Sequence, residues 1–185
     1  MNHNIDNKKD IEDLPRFGSV LYNFAFTEEE ERQKILKKWK RLNKYFVLPL
    51  YRIGLLPLLG IGRIFLILKT IGRITGKIRR TPLEYHWIEE IMTIFAGRGE
   101  NSGWIKNIRA NPDAVWVKHG FHKFRARVEF VINNEEKLKK VKWYVTKHPK
   151  PAKMLFGWDS KIDDPETTDF TKLLGLITIM RLHKY

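Results

Sequence analysis

Cysteine is missing from this 185-residue chain, which excludes a disulfide, a thiolate metal site and a Cys nucleophile. The lack suits an intracellular, cytoplasmic setting. Serine is scarce: Ser19, Ser102 and Ser160 are the three present, and none stands in a G-x-S-x-G elbow. Acidic residues are outnumbered, 21 against 35 Lys and Arg, for a net charge of +14. A balance so lopsided points to an anionic partner: nucleic acid, phospholipid headgroups or a multiply charged small molecule. Long apolar runs are also missing. Residues 45–68 come nearest, but Arg52, Arg63, Pro49, Pro57 and three glycines interrupt them, short of the roughly 20 apolar residues a spanning helix needs. With Lys37, Lys38, Lys40, Arg41, Lys44 and Arg52 beside it, the segment suits an interfacial helix on an anionic membrane surface at the inner face. The alternative is a pair of short helices packed on the core. The polar start, "MNHNIDNKKDIEDLPRFGSV", has no apolar stretch of the kind a signal peptide carries.

Catalytic and metal patterns are equally sparse. His119 and His122 straddle an expected turn without an acidic third ligand, so no metal site is expected. Glu28–Glu31 read as an exposed first helical turn, and Asp163 and Asp164 as a solvated turn.

What is present suits one core: 43% of residues are hydrophobic. Residues 1–26 read as an irregular arm. A helix follows, with Thr27 as its N-cap, acids in its first turn and bases towards its end. From Ile64 the period changes to two. "IFLILKT", "IRRTPLEYHW", "IMTIFAG", "DAVWVKHG" and "HKFRARVEFVI" read as strands, and "KLLGLITIMRL" as a closing strand. Close spacing of short strands predicts an antiparallel sheet or small barrel. "NSGWIKNIRANP" reads as an inserted short helix, and "NNEEKLKKVKWYVTKHP" as a longer one capped by Asn133 or Asn134 and stopped by Pro149.

One stretch concentrates chemistry. "LKTIGRITGKIRRTPLEY" sets Lys69, Arg73, Lys77, Arg79 and Arg80 around Gly72 and Gly76. Glycine backbone and guanidinium forks both suit phosphate or carboxylate. The spacing is neither a P-loop nor a dinucleotide fingerprint. The residues alone leave a small anionic ligand, nucleic acid and a plain basic surface open.

The same stretch resembles the signature of the deazaflavin-dependent nitroreductase family, T-x-G-R-x-[ST]-G-x-x-R-x-x-P-L, through Thr70, Gly72, Arg73, Thr75, Gly76, Arg79, Pro82 and Leu83. A second signature, W-x-x-N-[LI]-x-A-N-P, is matched by Trp104, Asn107, Ile108, Ala110, Asn111 and Pro112. The resemblance implies an α+β, mainly β fold, a split β-barrel of about six antiparallel strands with flanking helices. The resemblance runs from roughly Tyr45 to Phe156, and the chain is read as residues 1–44, an N-terminal arm and helix, and 45–185, the split-barrel cofactor-binding domain. The resemblance further implies coenzyme F420, with FMN as the alternative, and hydride transfer to a small-molecule acceptor such as a quinone, enone or nitro compound. Arg73, Lys77 and Arg79 would meet the cofactor's phosphate and oligoglutamate tail, assisted by backbone N–H groups of residues 72–76. Pro82 and Leu83 would line the ring's edge, with Ala96, Gly97, Arg98 and Gly99 passing close to the ring. Trp104 would pack under the short helix and Asn107 hold the loop or ligand. Tyr85 is the candidate proton donor, with solvent as the alternative source. The departure is the short "AGRGE" loop, where many relatives carry a serine or asparagine and two glycines. A homodimer follows by analogy, while a nucleic-acid partner is not expected. The rival readings are a non-catalytic F420, flavin or haem binder and a basic nucleic-acid module.

Overall fold

The computed structural model describes residues 13–55 and 64–185, and every structural statement below concerns those residues. Seven strands form one antiparallel sheet: β1 Phe65–Ile71, β2 Ile78–Glu84, β3 His86–Ile88, β4 Ile91–Ala96, β5 Val115–His119, β6 His122–Val131 and β7 Thr178–Lys184. Their spatial order is β2-β1-β5-β6-β7-β4-β3. The sheet divides at β6, which serves two partners. Up to Arg125 it pairs with β5, and from Ala126 onward with β7. A strand that changes partner part-way along lets the sheet curl into a split half-barrel. The α+β, mainly β class is the one expected. There are seven strands because "IRRTPLEYHW" breaks at Tyr85 into β2 and β3.

Around the sheet lie α1 Val20–Phe26, α2 Glu29–Leu42, a π-helical turn Asn43–Val47, α3 Leu48–Arg52, α4 Gly103–Ala110, α5 Asn134–Lys147, α6 Pro149–Phe156 and α7 Thr171–Leu176. Strand side chains alternate between faces, and each face carries a buried cluster. One face fills the half-barrel: Leu66 and Leu68 of β1, Val115 and Val117 of β5, and Met180 and Leu182 of β7 meet Ile105 and Ile108 of α4. On the other, Val131 and Ile179 meet Val141, Tyr144 and Val145 of α5 and Leu173 of α7. The Asn133 side chain caps α5, accepting from the Glu136 N–H at 3.0 Å, and Pro149 opens α6 where its missing N–H costs nothing.

Several expectations need correction. Residues 13–26 are not an irregular arm. Leu14 and Leu21 are 1% and 3% exposed and belong to the second core. Thr27 does not cap α2; its N–H closes α1 on the Asn23 carbonyl, while Glu29, Glu30 and Glu31 meet the positive end of α2. "KLLGLITIMRL" is α7 followed by β7. Asp163 is not a solvated turn residue. Its side chain is 2% exposed, and both its oxygens accept from Arg16 at 2.6 Å. Of residues 45–68, the middle (56–63) lies outside the described part, as do residues 1–12 of the arm. Among the described residues no helix is long and apolar enough to cross a membrane.

Arg16 ties the N-terminal segment to α6 as well, donating to the Gly157 carbonyl at 2.8 Å. Arg16→Ala leaves the Asp163 carboxylate buried without its cation, an error that costs about 3 kcal/mol. Urea titration should show a lower midpoint with an unchanged slope.

Candidate functional site

The turn 72–77 joins β1 to β2. Gly72 donates to the Lys77 carbonyl at 2.9 Å, and Gly76, at φ +64°, donates to the Gly72 carbonyl at 2.8 Å. Gly72 is required for closeness: a Cβ there would stand 3.1 Å from the Lys77 carbonyl oxygen, 3.2 Å from Thr75 Oγ1 and 3.3 Å from Arg79 Nε. Beneath the turn, α4 contributes Asn107. Its Oδ1 accepts from the Arg73 N–H at 3.1 Å, and its Nδ2 donates to Thr70 Oγ1 at 3.4 Å. Thr70 and Asn107 are both buried. The two sequence signatures therefore meet at one buried amide.

Above that anchor Arg73, Lys77 and Arg79 are exposed, with Arg79 Nη2 donating to Thr75 Oγ1 at 3.2 Å. None of the three forms an ion pair among the described residues. The backbone contributes less than expected. The amides of Gly72, Arg73, Gly76 and Lys77 are already taken by Lys77 O, Asn107 Oδ1, Gly72 O and Thr75 Oγ1. Ile74 and Thr75 keep the amides that the turn does not use itself, so what the turn offers outward is mainly its cationic side chains.

The remaining sequence candidates lie elsewhere on the same half-barrel. Pro82 stands opposite Ile67 and Leu83 opposite Leu66 on β1; Leu83 and Trp104 pack against the barrel core, which includes Ala96. The 96–99 loop is walled by elements outside both signatures. Leu21 of α1 lies against Gly97, and the Phe24 ring sits 5.7 Å from the Arg98 guanidinium. Burial, with help from Arg32 and opposed by Glu29, lowers the Arg98 pKa. Gly99, at φ +46°, is pressed so close to the Leu176 carbonyl that no Cβ fits.

Tyr85 is 3% exposed, and its hydroxyl is hydrogen-bonded to His119 Nε2. It stands just past the end of β2 remote from the turn, roughly 20 Å away by strand rise. Burial and then the neighbouring Tyr51 push its pKa up against a lowering hydrogen bond from Trp87, whereas burial and then His122 push that of His119 down. His119, Leu21 and Phe24 were not legible as site residues, because each acts through a contact distant in sequence.

A sequence model of the family described as F420H(2)-dependent quinone reductase matches residues 57–154, more than half of the chain. The chain belongs to that family. It is accordingly an F420-dependent reductase, and coenzyme F420 is its cofactor. The residues present fit that group, since the turn offers three cations with no carboxylate competing for them. Solved structures are also similar to part of the chain. An F420-H2 dependent reductase (FDR-A) is 22% identical over 65% of this chain and 95% of its own, at a TM-score of 0.44. A putative pyridoxamine 5'-phosphate oxidase from Listeria innocua is 10% identical over 69% and 90%, at 0.43. The haem storage protein HutZ from Vibrio cholerae is 15% identical over 70% and 89%, at 0.43. Comparison with curated proteins finds no match.

Asn107→Ala strands the Arg73 N–H and Thr70 hydroxyl together, at a cost of about 1–2 kcal/mol. It should lower the melting temperature and weaken F420 binding about tenfold, both measurable on one preparation. Two histidines also set an acid limit. Burial lowers the pKa of His119 and, with His86, that of His148. The unfolded chain then binds more protons below about pH 6.5, so their contribution is complete above that pH and lost as pH falls. Denaturation at about pH 7.5 and 5.5 should show this loss, and the double variant His119→Gln/His148→Gln should flatten it.

Proposed function

We propose that the protein holds reduced F420 along the β1–β2 turn and reduces a lipophilic, electrophilic acceptor, a quinone foremost, with enones and nitro compounds as the other candidates. The observation that carries this reading is the uncompensated set Arg73, Lys77 and Arg79 on a turn locked from below by Asn107. Guanidinium forks bind phosphate and carboxylate in bidentate fashion, the groups that F420 presents in its phosphate and glutamate tail. When bound, the reduced deazaflavin supplies a hydride, and the protein supplies orientation and electrostatics. Leu83, on the same face of β2 as Arg79, would border the ring, and the 96–99 loop would pass close to it; Pro82, opposite Ile67, faces the other side. Support for an apolar acceptor comes from Leu21 and Phe24, which wall that loop.

The proton that completes reduction is assigned to Tyr85, whose hydroxyl His119 orients. A surface location near quinones draws support from α2 and the turn after it. Exposed Trp39, Tyr45 and Phe46 stand there among Lys37, Lys38, Lys40, Arg41 and Lys44, the pairing that favours an anionic membrane interface.

The decisive measurement follows oxidation of reduced F420 with menadione, cyclohexenone and a nitroaromatic in parallel. Turnover fastest with the quinone is expected, and Arg73→Ala or Arg79→Ala should each weaken F420 binding about tenfold or more. Binding without turnover of any acceptor would leave a cofactor carrier, and preference for FMN would overturn the reading. For Tyr85→Phe, a fall in kcat of about tenfold at unchanged KM assigns the proton to Tyr85; an unchanged kcat hands that role to solvent.

A further inference from the structure

The face of β1 and β5 turned away from the half-barrel core carries a second cationic site. Between that face and α3 lies a cavity of about 880 Å³, within the size range of small-molecule sites. Five strands and helices each place one cation on its described walls: Arg52 of α3, Lys69 of β1, Arg80 of β2, Lys118 of β5 and Lys123 of β6. No carboxylate lines it among the described residues.

The register accounts for the crowding. Lys69 stands opposite Arg80 on one side and Trp116 on the other, and Lys118 opposite Lys123. Like charges directly opposite one another destabilise a sheet, and here two such pairs share one cavity without an ion-pair partner among the described residues. Two of the cations rest on aromatic rings. Lys69 Nζ is 4.4 Å from the Trp116 centroid, and Lys118 Nζ is 4.9 Å from that of Tyr51 while donating to the Tyr51 carbonyl at 3.2 Å. Burial and Lys123 together lower the Lys118 pKa, which an arriving anion would reverse.

Strand alternation keeps this cavity apart from the turn site. Thr70 and Arg79 are paired across β1 and β2, and their neighbours Lys69 and Arg80 face the opposite side. The rest of the wall is apolar, through Leu48, Pro49, Ile53 and Ile67. Ile53 is 72% exposed, and the chain just before α3 adds Tyr45 and Phe46, 62% and 61% exposed. The occupant must therefore bring concentrated negative charge and an apolar body that continues out past α3.

We propose that this cavity binds the phosphate headgroup of an anionic membrane phospholipid, with the phosphate among the five cations and the acyl chains leaving along α3. The inference goes beyond the reductase reading and does not depend on F420. It is tested by calorimetric titration with dioctanoyl phosphatidic acid, dioctanoyl phosphatidylcholine and glycerol 3-phosphate, using the wild-type chain and Lys118→Gln/Lys123→Gln. Phosphatidic acid is expected to bind at least about tenfold more tightly than either other probe and to lose about tenfold in the variant. F420 affinity in the variant should stay within about twofold. Equal binding of glycerol 3-phosphate would make this a site for free phosphate and overturn the lipid assignment. Phosphatidic acid binding unchanged in the variant would place the lipid elsewhere, and lost F420 binding would return the cavity to the cofactor. Should the double variant melt early, Lys123→Gln, at an exposed position, carries the same comparison.

Discussion

One buried amide, that of Asn107, holds the site together. It satisfies a backbone N–H on the turn and meets a threonine hydroxyl on the strand, reaching both from a helix more than thirty residues away in sequence. Without it a donor and a hydroxyl would lie beneath the turn with no partner, and the turn would lose its attachment to the barrel. The position of α4 depends in turn on Ile105 and Ile108, which sit in the half-barrel core against β1, β5 and β7. The exposed arginines therefore inherit their placement from apolar packing, through two hydrogen bonds.

The excess of positive charge is not spread evenly. Where cations serve the fold they are paired, as in Arg16 with Asp163 and Arg181 with Glu129 and Glu136. Along β1 and β2, Lys69, Arg73, Lys77, Arg79 and Arg80 keep no such partner among the described residues. Alternation then divides these strand cations between two faces. Arg79, opposite Thr70, goes with the turn, while Lys69 and Arg80 go with the cavity below α3. A single pair of strands thus presents two clusters of unpaired cations of different character, one on a glycine turn and one bordered by aromatic and aliphatic side chains.

The N-terminal segment joins the fold in a way that its polar composition conceals. Leu14 and Leu21 enter the second core, Arg16 ties to Asp163, and α1 lies against the 96–99 loop. The short "AGRGE" loop is complemented by a wall from the opposite end of the chain.

Local signals in the sequence determined the strands, the two interior helices and the basic turn. Period-two alternation, the glycines of the 72–77 turn and the Asn133 cap are all short-range. They also determined the family, because both signatures are contiguous motifs. Tertiary structure decided what depends on contacts distant in sequence. The amides of the turn are consumed internally, Asp163 is buried by Arg16, and Tyr85 meets His119 across strands. The cations of five elements converge beneath α3. Each of these follows from register and strand order, which set which residues stand opposite one another and which no single stretch of sequence encodes.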